Sequence, residues 1–343
     1  MTQIVLRNSI DTMKPTKYIL ITLISLFFIS CQENKKTYHH EFGEIFTTYF
    51  NIRYEFNRSL LEEIMAEFEK FNNSLNPFRE NSIISKVNRN ETVELDSFFV
   101  NVFQRAMEIS RITDGAFDIT VSPFVNAWGF GFSNAEEVTP ELIDSLSQFV
   151  GFEKIRINAD GYIEKDDPRV HLNMSAIAKG YATDVIANLL RRHGVENFLV
   201  DIGGEVVAQG KSQRGICWRI EIPQPTFGLV HKRQTVLSVC NKAMATSANN
   251  RNFRVIDGKV VGHTIDPRTG FPIQQDILSA TVLADDCMTA DAFATAFMVL
   301  GMETSRELAR TIPGLYYYFI YALPDGNGFG AVYSEGFERF FAD

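Results

Sequence analysis

The chain has 343 residues, 45% of them hydrophobic and 22% charged, a globular make-up with enough length for one large core or two smaller ones. A net charge of −9 excludes a nucleic-acid partner held by a basic surface, and no zinc-finger or other basic recognition pattern is present. In chain order, the first feature is a basic stretch, Met13-Lys14-Pro15-Thr16-Lys17, followed by an apolar run over 18–29 broken only by Thr22 and Ser25. The twelve residues of that run fall short of the roughly 20 that span a bilayer, so it reads as the core of a signal peptide covering 1–30. Residues 1–12 carry no apolar core of their own, which makes Met13 an alternative initiator.

The run ends in Phe28-Ile29-Ser30-Cys31, which resembles a bacterial lipobox. That resemblance implies a diacylated Cys31 as first mature residue, lipid-anchored to a membrane of the bacterial cell envelope and facing the periplasm. Residues 31–42 are polar and read as a flexible tether, leaving 43–343 as the folded domain. Cys217, Cys240 and Cys287 make an odd set without metal-ligand spacing, so they are expected to be buried thiols, with neither disulfide nor zinc.

A strand is expected over 46–56, and apolar residues at helical spacing give a helix over 58–71. A polar loop with Phe78 follows, then a helix over 97–112 that stops at Thr113-Asp114-Gly115. Thr139-Pro140-Glu141 has the form of a cap, a proline at the first helical position and an acidic first turn. Strands at 154–157 and 170–173 lead into a helix over 176–192 ended by Gly194. Strands are then expected at 198–201, 205–209, 218–222, 235–239, 253–256 and 279–283, with 245–252 as a polar loop. Helices over 288–300 and 304–311 precede a last strand pair, 316–323 and 330–333, joined by a turn at 325–328. Helices and strands do not alternate regularly, so the expected fold is α+β, one mixed α/β body and not a doubly wound Rossmann sheet.

Several segments carry the polar chemistry. Asp118, after Gly115, is expected to stand exposed beside aromatic side chains, as suits a stacked ring with a carboxylate at its edge. At 172–180 a strand gives way to a helix start, where free amides together with Ser175 and Lys179 offer a phosphate site. Gly203-Gly204 after a strand permits close approach of a backbone or ligand. Residues 263–270, His-Thr-Ile-Asp-Pro-Arg-Thr-Gly, place an imidazole, a carboxylate and a guanidinium on a stiff, turning loop. Asp291 and Thr295 are i and i+4 and share one helix face, a pair of hard oxygen donors of the kind Mg²⁺ selects.

The motifs GAFDITVSPFVNAWGFG, HLNMSAIAKGYATD, LVDIGGEV, ATSANNRNF, GHTIDPRTG and MTADAFATA, in this order, resemble the ApbE-type FAD:protein FMN transferases over about 43–340. The resemblance implies an ApbE-like fold and an enzyme that binds FAD with Mg²⁺. Such an enzyme moves the FMN half onto a Thr or Ser hydroxyl of a client redox protein, exported or membrane-bound, and releases AMP. It further implies FAD contacts at Phe46, Phe78, Asp118, Ser175, Lys179 and Ile265, and Mg²⁺ held by the Ala176 carbonyl, Asp291 and Thr295. His263 is implied to assist deprotonation of the incoming hydroxyl or the transfer itself, with Asp291 also part of the catalytic set. Two alternatives stand beside transfer: Mg²⁺-dependent hydrolysis of FAD to FMN and AMP, and flavin binding without turnover. Two departures from the family pattern fall at Phe46-Thr47-Thr48, where a glycine is usual, and at Ser247-Ala248-Asn249-Asn250, which lacks a glycine and an aromatic ring.

Overall fold

The computed structural model describes residues 36–131, 138–225, 232–249, 253–256, 259–273, 277–323 and 328–342. The strands are β1 Thr37–Ile45, β2 Thr48–Phe56, β3 Ile155–Ile157, β4 Ile163–Lys165, β5 Phe198–Ile202, β6 Glu205–Gln209 and β7 Trp218–Pro223, then β8 Arg233–Val239, β9 Lys242–Ala248, β10 Phe253–Ile256, β11 Lys259–Gly262, β12 Ile277–Ala284, β13 Tyr316–Ala322 and β14 Phe329–Tyr333. The helices are α1 Leu61–Leu75, α2 Ile83–Asn88, α3 Ser97–Ile112, α4 Ser122–Ala127, α5 Pro140–Ser147, α6 Ser175–Arg192, α7 Cys287–Leu300 and α8 Met302–Thr311. Eight strands form one sheet in the order β1-β2-β5-β6-β9-β12-β13-β14, and every neighbouring pair is antiparallel. This is the expected α+β architecture.

Alternation along the strands sends side chains to two faces and so builds two cores. On the inner face Phe50, Ile52, Phe198, Val200, Ala245, Val282 and Phe319 meet Ile64 and Phe68 of α1, Ile177 and Ile186 of α6, and Phe293 and Phe297 of α7. On the outer face Val206, Met244, Leu283, Tyr318 and Ile320 pack under Trp218, Ile222, Leu237 and Val239 of the β7–β8 ribbon, with Phe337 and Phe340 closing the end. The ribbon therefore roofs part of the outer face.

Local signals place most helices where the residues ask for them. Asp96 caps α3 by accepting from Phe99 N, and Thr139 caps α5 by accepting from Leu142 N, with Pro140 at the first position. The expected bounds shift elsewhere. The first helix starts at Leu61 and runs to Leu75, and the partner of β3 is β4, while 170–173 is extended chain without a ladder. The stretch read as polar loop from 245 is the end of β9, which sits between β6 and β12 in the sheet. The tether ends sooner than expected, because Thr37–Ile45 pairs with β2 over its whole length. Phe46 is the first residue of a two-residue hairpin turn, in which Phe46 and Thr47 both take left-handed φ, 51° and 63°.

Cys217 and Cys240 correct the expectation of free thiols: they form a disulfide across the β7–β8 ribbon. Cys287 is free and buried, as expected. Cys31, Asn250 and most of the turn at 325–328 lie outside the described residues. Among the described residues no helix is long and apolar enough to cross a membrane.

Candidate active site

A cavity of about 1020 Å³ lies beside the roofed part of the outer face, at the upper end of the size usual for small-molecule sites. Tyr49 and Asn51 of β2, Asp201 of β5, Arg219 of β7, Lys179 of α6 and Asp291 of α7 contribute to its wall. The site thus draws on the sheet, the ribbon and the starts of two helices, segments far apart in sequence.

The chemistry concentrates where α6, α7 and β6 meet. The Lys179 ammonium donates to Glu205 Oε1 at 2.5 Å and stands 4.0 Å from Asp291 Oδ1. Both carboxylates are about 4% exposed. Glu205 Oε2 has no hydrogen-bond partner among the described residues. Asp291 Oδ2 accepts from the Gly180 amide at 2.9 Å, the donor that helix geometry would otherwise aim only at the Ala176 carbonyl. Gly180 is required by the close approach of α6 to α7, since a Cβ there would stand 2.4 Å from the Cys287 carbonyl oxygen. Thr295, one turn beyond Asp291, shares a hydrogen bond of 3.1 Å with Ser247 of β9.

Two buried carboxylates face one ammonium here, so full ionisation would leave excess negative charge, which burial opposes. Burial pushes the Glu205 carboxyl up to about 7, with Lys179 opposing and Asp291 adding to the rise. Burial likewise raises Asp291, against the pull of Lys179. Burial alone would depress Lys179, but Asp291 and Glu205 outweigh it and hold the ammonium charged. A cation-accepting site has this character: oxygen donors, a low-dielectric setting and uncompensated negative charge.

The loop 263–273 forms another wall. Ile265, 4% exposed, packs with Phe124, Ile143 and Val150 and also lines the cavity. Arg268 forks onto Asp266 at 2.9 and 2.8 Å, and the Asp266 carbonyl accepts from Gly270 N at 2.8 Å. Gly270 has φ 75° and no room for a Cβ against Ile143 and Phe124, while its carbonyl accepts from Trp128 Nε1 at 2.8 Å. Asp266 to Gly270 are therefore spent on shaping the turn. His263 lines the cavity and meets the Phe130 ring edge-on at 6.4 Å.

The structure places Asp118, Ser175, Ala176, Lys179, His263, Ile265, Asp291 and Thr295 around one cavity. Asp118 is a correction in detail. It is 8% exposed, Oδ1 accepts from the amide and hydroxyl of Thr120 at 2.7 Å each, and Oδ2 accepts from Phe152 N at 2.8 Å. Its carboxylate organises the cavity wall from within, and burial raises it to about 6. Phe46 and Phe78 are not brought in. The Phe46 ring packs on Phe68 and Phe71 at the sheet end, and Phe78, 69% exposed, stands away from the lining. Sequence reasoning missed Glu205 as the partner of Lys179. It also missed Asp184, which takes Cys287 N and Met288 N at 2.8 Å each and so fixes the start of α7 to α6.

Residues 46–319 match the model of the ApbE family. The chain is 33% identical to a Haemophilus influenzae protein named FAD:protein FMN transferase, over 94% of this chain and 96% of that one. A protein of the same name from Vibrio cholerae is 34% identical over 84% and 90% of the two chains. Among solved structures, the flavin transferase ApbE from Vibrio cholerae superposes with a TM-score of 0.78 at 31% identity, covering 89% of this chain and all of that one. The apo form of the Pseudomonas stutzeri flavinyl transferase ApbE also gives 0.78, at 26% identity over 89% and 97%. On its family match and on these relatives, aligned over nearly their full lengths, this chain belongs to the ApbE family.

Proposed function

We propose that this protein is an FAD:protein FMN transferase that uses Mg²⁺ to move the FMN moiety of FAD onto a Thr or Ser hydroxyl of a client redox protein, releasing AMP. The observation that carries the reading is the Lys179–Glu205–Asp291 cluster, with both carboxylates buried, at the wall of a cavity large enough for a dinucleotide, in a chain of this family. Its uncompensated negative charge suits a divalent cation, with Asp291, Thr295 and the Ala176 carbonyl as the residues that would hold it. Mg²⁺ held there would supply positive charge to offset the charge that develops on the pyrophosphate.

The residues divide the remaining work. Ser175 at the start of α6 and Ile265 on the hairpin loop position FAD. His263 accepts the proton of the client hydroxyl at an imidazole nitrogen. The hydroxyl oxygen then bonds to the phosphorus of the FMN half, the phosphoanhydride bond breaks, and AMP departs with the electron pair.

The client is an exported or membrane-bound redox protein, and the enzyme is held at the membrane by lipid on Cys31, facing the periplasm. The Cys217–Cys240 disulfide supports an oxidising compartment for the folded domain. Purified protein given FAD and a candidate client, with Mg²⁺ or with EDTA, tests the reading by nucleotide analysis and in-gel flavin fluorescence. A fluorescent client band and AMP, both lost in EDTA, are the expected result. Free FMN and AMP without a band would mean hydrolysis, and unchanged FAD would mean binding alone.

A further inference from the structure

Lys179 lies between two carboxylates and is shared unequally: 2.5 Å from Glu205 and 4.0 Å from Asp291. The first contact is a charge-assisted hydrogen bond, and at 4.0 Å the second is beyond hydrogen-bond reach. The two carboxylates are buried, and the partly exposed Lys179 side chain reaches in between them. Were Glu205 absent, the nearest anion for the ammonium would be Asp291 Oδ1. That oxygen is the one left over after Oδ2 has taken the Gly180 amide. A lysine on Oδ1 would occupy the donor a cation needs, and would repel the cation as well.

Glu205 is placed to prevent this. It enters β6 directly after the Gly203–Gly204 turn, where Asp201 fixes the chain by accepting from Gly204 N at 2.9 Å. Its Oε2 is engaged by nothing else among the described residues, so no other donor competes with the ammonium for this carboxylate. We propose that Glu205 is a positioning residue that draws Lys179 aside and keeps Asp291 Oδ1 open for the divalent cation. The inference rests on the reading of Asp291 as a cation ligand, and it assigns Glu205 a function through Lys179 rather than on the cation or FAD.

The test is a double-mutant cycle read by equilibrium binding of Mn²⁺, a spectroscopically visible stand-in for Mg²⁺, to the purified protein without FAD. Glu205→Gln is expected to weaken Mn²⁺ at least tenfold when Lys179 is present. In the Lys179→Met background the same change is expected to cost less than threefold, because no ammonium remains to fall onto Asp291. If Glu205 acted only by its overall charge, both backgrounds would lose equally, and that result would overturn the inference. Equal affinity of Glu205→Gln and wild type would overturn it too. Absence of Mn²⁺ binding by the wild type would instead overturn the cation reading beneath it. A crystal structure of Glu205→Gln gives a second measurement: Lys179 Nζ within about 3 Å of Asp291 Oδ1 is expected, and an unchanged separation near 4.0 Å contradicts the inference. Should Glu205→Gln not fold, Glu205→Ala carries the same cycle and the same crystal test.

Discussion

Breaking the Cys217–Cys240 disulfide offers a stability change whose size follows from the fold. The bond joins residues 23 apart in sequence, across the two strands of the ribbon that roofs the outer core. Closing a loop of that length removes roughly 11 cal/mol/K from the unfolded chain, or about 3.4 kcal/mol at 25 °C. Unfolding a body of about 300 residues carries an entropy near 0.6 kcal/mol/K, so the melting temperature of a Cys217→Ser/Cys240→Ser variant should fall by about 5 °C. Calorimetry of the variant and of the oxidised wild type, with free thiols counted on unfolded samples, measures the difference. Because Arg219 and Glu221 of the same ribbon line the cavity, FAD affinity should fall with stability. A variant that melts within 1 °C of the oxidised wild type would refute the loop-entropy reasoning.

Other changes test other parts of the molecule. Thr47→Gly should stabilise by about 0.5–1 kcal/mol, read as a higher urea midpoint, because a β-branched residue at φ 63° in the hairpin turn is strained; a lower midpoint would show that Thr47 makes contacts worth more than the strain. Asp291→Ala should retain the fold, judged by its melting curve, and lose Mg²⁺-dependent FAD turnover by at least a hundredfold; full turnover would remove Asp291 from the metal set. Asp184 is raised to about 7 by burial, against a usual value near 3.9 in the unfolded chain. The folded state therefore holds this proton longer, and the stability it lends is present below pH ~4 and lost as pH rises through about 7. The melting temperature of Asp184→Asn relative to wild type should accordingly rise between pH 4 and pH 8, and a pH-independent difference would show that Asp184 does not titrate in that window.

Where a signal was local, the sequence carried it. The helix over 97–112 has its cap at Asp96 and its stop at Thr113, and the structure gives the same bounds. The helix starts and turns of the motif segments were legible because residues a few positions apart set them, whereas their convergence on one cavity is made by the sheet and the helices. What stayed hidden depends on contacts across the fold. β9, Lys-Ala-Met-Ala-Thr-Ser-Ala, lacks the bulky residues that mark a buried strand, because the Ala-rich face of α7 lies directly against it. β1 is an edge strand with polar residues, legible only through its pairing with β2. The odd cysteine count concealed a pair because the third thiol, Cys287, is core. Glu205 and Lys179 are 26 residues apart and meet only once β6 is laid beside α6. Phe46 and Phe78 were assigned to the flavin by resemblance alone, and nothing in their local sequence turns them toward the cavity.

The most direct measurement of the transferase assignment uses a membrane fraction from cells lacking this protein, incubated with the purified protein, FAD and Mg²⁺. Peptide mass spectrometry then maps any modified residue, and chromatography counts AMP. The account expects FMN bonded to a Thr or Ser side chain of an exported redox protein, with one AMP for each adduct. AMP and free FMN accumulating with no modified peptide would contradict it.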